Sequence, residues 1–154
     1  AYDSETVNNL FMVPNHFFVP SVIEKRNPLA ATARRAGWEG CNILINDIPD
    51  SGKLFIVKNS LEVDRNKVID DYRRLEGLQT SNLDSRGWMM DVMACVDKIG
   101  NTDFTLDEMY AFEPILQKKY PQNYHIKDKI RQQLQFLRDK GFVRFTARGH
   151  YQKI

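Results

Sequence analysis

The stretch "YHIKDKIRQQLQFLRDK", Tyr124 to Lys140, combines apolar and polar side chains at a spacing that can do recognition chemistry. Ile126, Ile130, Leu134 and Leu137 recur at helical intervals and predict one buried stripe. His125, Asp128, Lys129, Gln132 and Gln135 then fall on the opposite face, with Lys127, Arg131 and Arg138 on the flanks. A glutamine amide can bridge adenine N6 and N7, a carboxylate can accept from cytosine N4, and flanking cations suit phosphates. Tyr124 stands at the entry to this segment. Further on, "ARGHY" puts Arg148, His150 and Tyr151 at the tip of an expected hairpin. From Asn123 to the end, eight Lys/Arg face only Asp128 and Asp139, a net charge of +6. A local excess of that size suits a polyanion. A basic face that is merely solvated, or a fold of this type that binds only protein, remains the competing reading.

A second constellation is "ATARRAGWEGCN", Ala31 to Asn42. Trp38 lies on a loop-like run with Gly37 and Gly40 near it and two adjacent cations, Arg34 and Arg35, before it. Residues this small cannot pack around an indole, so the ring reads as a stacking surface held outward. The alternative is a ring that covers a sheet edge.

These groups need elements to position them. "LFMVPNHFFVP" (10–20) is β-prone but broken by Pro14 and Pro20, which predicts an edge or final strand and then an irregular entry into "SVIEKR". Asn42–Ile45 and residues 54–59 read as strands on either side of a turn. "DRNKVIDDYRRLEGL" has near-helical spacing and stops at Gly77. The polar run "QTSNLDSRG" marks a boundary, which divides the chain into residues 1–80 and 81–154. Beyond it, Trp88, Val92, Cys95, Val96 and Ile99 predict a first helix. Thr105 and Glu108 form a capping box for a second, which Pro114 must kink or restart. The basic segment is the third helix, closed by Gly141, and "FVRFTARGHYQKI" is a β-hairpin turning at Ala147–Gly149. Three helices and a hairpin are the order of a winged helix-turn-helix, whose third helix enters the major groove. The predicted class is therefore α+β, with 81–154 able to fold by itself.

The phrases "PLAATARRAGWEGCNI", "SRGW", "DKI", "FTLDEMY", "HIKDKIRQQLQFLRDK" and "RGHYQKI" strongly resemble the DpnI family, and the likeness runs from about Val7 to Ile154. Members are type II restriction endonucleases that cut G-A-T-C only when its adenine carries an N6-methyl group. The resemblance implies that 1–80 is the carboxy-terminal part of a PD-(D/E)xK nuclease domain, an incomplete α/β region, and that 81–154 is a winged helix that reads the methylated site independently. It also implies that Trp38 matches the tryptophan of the methyladenine pocket, with Arg34 and Arg35 at phosphate or guanine edges. Burying one methyl is worth only ~0.8 kcal/mol. Strict methyl dependence therefore calls for two readings of the site, or for penalties against unmethylated adenine.

One departure outweighs the matches. The family's catalytic Asp, its Glu-x-Lys pair and its zinc-binding cysteines lie upstream of the point where this chain begins. Carboxylates must hold Mg²⁺ and a lysine must assist the attacking water in metal-dependent phosphodiester hydrolysis. Pro49-Asp50 followed by Glu62-Val63-Asp64 mimics the spacing, but Asp64 stands where the lysine belongs, and Pro49–Gly52 reads as a plain turn. His16, His125 and His150 have no carboxylate partner by sequence. Cys41 and Cys95 form no metal motif. The expectation is a chain that binds double-stranded DNA and does not cut it, with no cofactor of its own and Mg²⁺ required by the complete enzyme. A first region lacking its earlier strands should be left partly uncovered or self-associated. A winged-helix transcription regulator or stand-alone methyl-DNA binder is the other reading.

At 154 residues, with 42% hydrophobic and 27% charged residues, the chain is long enough for one full domain or for a small domain and part of another. Charge divides unevenly. Residues 1–80 carry ten Lys/Arg against eleven Asp/Glu, and 81–154 carry twelve against nine. No apolar run has transmembrane length and no secretory leader pattern is present, so no membrane partner and a cytoplasmic location with free thiols are expected.

Overall fold

A computed structural model describes residues 6–154. The fold is α+β, and β strands dominate its first part. β1 (Leu10–Met12), β4 (Leu54–Lys58) and β5 (Leu61–Glu62) form an antiparallel sheet with β4 in the middle. β2 (Ile23–Lys25) and β3 (Cys41–Ile43) form a separate two-stranded ribbon. The apolar runs at 10–20 and 42–45 give only the three-residue strands β1 and β3. Proline has no N–H for a ladder, so after β1 the chain turns through Asn15–Phe17, entered from Pro14, and again through Pro20–Val22. β3 ends where the Leu44 amide bonds the Val22 carbonyl at 2.8 Å, and a turn over Ile45–Asp47 follows. Helix α1 (Arg65–Glu76) starts at Asp64, whose carboxylate accepts from the Asn66 and Lys67 amides at 2.9 and 3.1 Å.

The second part runs α2 (Leu83–Lys98), β6 (Asp103–Thr105), α3 (Leu106–Tyr110), α4 (Glu113–Lys119), α5 (Ile126–Asp139), β7 (Val143–Ala147) and β8 (His150–Lys153). The three strands pair in the order β6-β8-β7. This is a winged helix-turn-helix with the short third strand β6 added to the expected hairpin. The capping box forms in full at Thr105 and Glu108. Pro114 restarts the chain in the first turn of α4, where a missing N–H costs nothing. On α5, Ile126, Ile130, Leu134 and Leu137 are buried as their spacing predicts, together with Gln133.

α2 carries the core. Trp88 lies flat on Tyr120 with ring centroids 3.8 Å apart, and the Tyr120 hydroxyl donates to Asp91 at 2.6 Å. Met89, Met90, Val92, Met93, Cys95 and Val96 are buried as well, so the helix is apolar nearly all round. It packs on α5 and also on the Asn15–Phe17 and Asp50–Gly52 turns of the first part. Ser51 fastens that contact, its amide and hydroxyl both donating to Asp97 at 3.0 Å. One face of the first helix of 81–154 is thus covered by the other part of the chain.

Candidate nucleic-acid interface

The polar face of α5 begins with chain geometry. Asn123 accepts the His125 amide at 2.8 Å, which sets the entry into the helix and leaves Tyr124 exposed at 82%. With the apolar stripe turned inward, His125, Lys127, Asp128, Arg131, Gln132, Gln135 and Arg138 are all exposed. Lys129, expected among them, is half-buried on the other edge of the helix.

Aromatic rings support the cations on the wing side. The Lys127 ammonium lies 5.2 Å from the centre of the Tyr110 ring on α3, and the Arg138 guanidinium lies 4.6 Å from that of Phe145 on β7. Such contacts hold a long side chain in place while leaving its charge available. Lys127 also reaches Glu113 at 3.4 Å. Asp128 accepts from Arg131 and lies 3.8 Å from the His125 imidazole. That bond pushes the Arg131 guanidinium above its already high range. Tyr110 and Phe145 carry no signal in the sequence that separates them from core aromatics; only the packing of three elements reveals them.

At the wing, Gly149 turns at a φ of 73°, which side chains rarely adopt, and Arg148 and His150 are exposed beside it. Tyr151 does not join them. It pairs with Phe104 on one side and Phe145 on the other, stacks on the first at 5.3 Å and meets the second edge-on at 4.6 Å. Its ring is core, and strand alternation explains this: the neighbours His150 and Gln152 face the other way. Arg144, on the outer face, bonds Gln152, which bonds Asp103 at 2.9 Å. Lys153 donates to the Ile99 carbonyl and Lys140 lies over Phe136. The +6 of the final segment is thus divided between faces, and Lys127, Arg131, Arg138 and Arg148 belong to the helix edge and the wing tip.

In the first part, the segment between β2 and β3 holds Trp38. The ladder continues through Arg26 and Gly40 (3.0 Å) to Leu29 and Trp38 (3.0 Å), which closes a loop with Arg34 and Arg35 exposed at its tip. The indole is 52% exposed and folds back over Gly40. A Cβ at Gly40 would come within 2.9 Å of two ring carbons, so a larger residue there would push the ring from this position beside the stem of Arg26. A large, half-open aromatic surface on a loop that also carries Arg34 and Arg35 can stack on or wall off a flat ring.

Among the described residues, no three His, Cys, Asp or Glu side chains come together to hold a metal ion. Asp50 bonds Lys53 at 2.9 Å and Asp64 is committed to capping α1. These carboxylates do not fit a Mg²⁺ site. His16 is buried with an unpartnered Nε2, and burial, with Arg86 nearby, holds its pKa below the usual 6.5. Cys95 is buried and its thiol is pushed up to about 11, the charge state of an inert thiol. No described helix is long and apolar enough to cross a membrane.

Residues 84–153 match the model of the Dam-replacing HTH domain, and residues 1–81 match that of the Dam-replacing family.

Proposed function

Because the chain belongs to the Dam-replacing family, the DpnI family of its sequence motifs, we propose that it is the DNA-recognition portion of a nuclease that cleaves G-A-T-C sites carrying N6-methyladenine. α5 lies in the major groove with Gln132 and Gln135 toward base edges. Lys127, Arg131 and Arg138 meet phosphates along the wing-side edge, and Arg148 and His150 touch the neighbouring backbone. Trp38 forms a wall of the methyladenine pocket in the first part, with Arg34 and Arg35 against the same duplex. Carboxylates that hold Mg²⁺ for cleavage come from outside the described residues.

One observation carries this reading: the polar face of α5 is outward, with Lys127 over Tyr110 of α3 and Arg138 over Phe145 of the wing. Fluorescence anisotropy with G-A-T-C duplexes, methylated and unmethylated, tests it. Salt-dependent binding with a preference for the methylated duplex is expected, and equal affinity for both defeats the methyl-reading claim. A second reading is a regulator or stand-alone binder whose first part pairs with a second copy. It draws on uncovered apolar side chains there, such as Leu10, Met12, Leu61 and Tyr72. A stable symmetric dimer in light scattering would favour it.

A further inference from the structure

Asp128 is an acidic side chain in the first turn of α5, on a face that must approach a polyanion. It stands three residues after the N-cap His125 and three before Arg131; it accepts from Arg131, and the His125 imidazole lies 3.8 Å away. Asp139 is the other carboxylate of this helix, but it lies at the far end and pairs with Arg138 at 2.8 Å. A cation that serves phosphates gains nothing from an intramolecular carboxylate, and an exposed pair of this kind contributes little stability. The arrangement makes sense as a cost imposed on wrong duplexes.

Resting on the DNA-reading proposed above, we propose that Asp128 is a specificity-determining residue that suppresses binding to unrelated duplexes. In free protein the carboxylate occupies Arg131, which removes one phosphate-seeking charge from the face. On any duplex the carboxylate is pressed toward the groove, where a base-edge acceptor such as thymine O4 repels it. An amino donor satisfies it, and cytosine N4 is the donor its chemistry selects. Only then is Arg131 released to a phosphate without a charged oxygen left unpaired. Selectivity thus comes from a penalty that the correct base pair lifts.

The test compares wild type with Asp128→Asn and Asp139→Asn, which add the same unit of charge at two places on one helix. Anisotropy is read over a salt series on three duplexes: methylated G-A-T-C, the same duplex with its C·G pairs replaced by T·A, and an unrelated sequence. For Asp128→Asn, binding to the replaced and unrelated duplexes should rise about three- to tenfold. The salt slope should steepen by about one phosphate contact, and preference for the intact site should fall. Asp139→Asn should raise all three affinities together and keep the preference. Equal behaviour of the two variants overturns the proposal, as does a lower Tm for Asp128→Asn with unchanged slope and preference, the mark of a plain helix-end charge. A wild type that discriminates no better than Asp128→Asn sinks the filter alone. A wild type that binds no duplex sinks the DNA reading together with it.

Discussion

The two parts of this chain differ in how far they satisfy themselves. In the second part Trp88, Met89, Val92 and Met93 of α2 and Ile130, Leu134 and Leu137 of α5 are enclosed, and the wing closes over them with Phe104, Val143 and Tyr151. In the first part the sheet and ribbon leave Leu10, Met12, Ile23, Leu29, Ile43 and Leu61 exposed, Leu61 at 72%. Strands this short bury little by themselves. The difference teaches where the chain's stability resides: in residues gathered around α2, with the first part attached through the turns that touch that helix.

Mutations break or sharpen this contrast. The largest effect belongs to Ile130→Ala in the closed core, which should cost about 2–5 kcal/mol as a lowered urea midpoint. Leu61→Ala should move the same midpoint by less than ~0.5 kcal/mol; an equal loss at both sites would abolish the distinction. Next, Thr105→Ala removes the capping box at the start of α3 and should cost about 1 kcal/mol, again by urea titration. Trp38→Ala should leave stability unchanged but lower preference for the methylated duplex by an amount on the order of one buried methyl, ~0.8 kcal/mol, in competition anisotropy. A stability loss there would instead identify the ring as sheet cover.

The smallest effect is a slope. His16 is held neutral in the folded chain, with its pKa below 6.5, so the unfolded chain takes up the proton first. Its contribution should be complete above pH 6.5 and decline as pH falls through that value, until the folded imidazole also titrates. His16→Phe should flatten the decline between pH 7 and 5 in urea titrations; an unchanged slope would place the titrating group elsewhere.

Much of the second part was legible because its signals are local. The α5 stripe, the Thr105–Glu108 box, the restart at Pro114 and the turn at Gly149 each lie within a few residues of sequence. β6 was not legible. Asp103–Thr105 becomes a strand only by pairing with residues 150–152, too distant for any periodicity. Tyr151 was misplaced for a related reason, since its two neighbouring strands decide its surroundings, although alternation with His150 and Gln152 offered a clue. In the first part, prolines 14 and 20 marked the breaks, but not the turns that follow them. Exposure of Trp38 followed from its small neighbours; the close fit at Gly40 appears only once the indole is seen folded across it.

Where the sequence changes character near residue 80, α2 is shared: α5 packs on it from one side, and the Asn15–Phe17 and Asp50–Gly52 turns of the first part pack on it from another. A substitution that reshapes this helix is therefore felt on both sides of the compositional boundary at once.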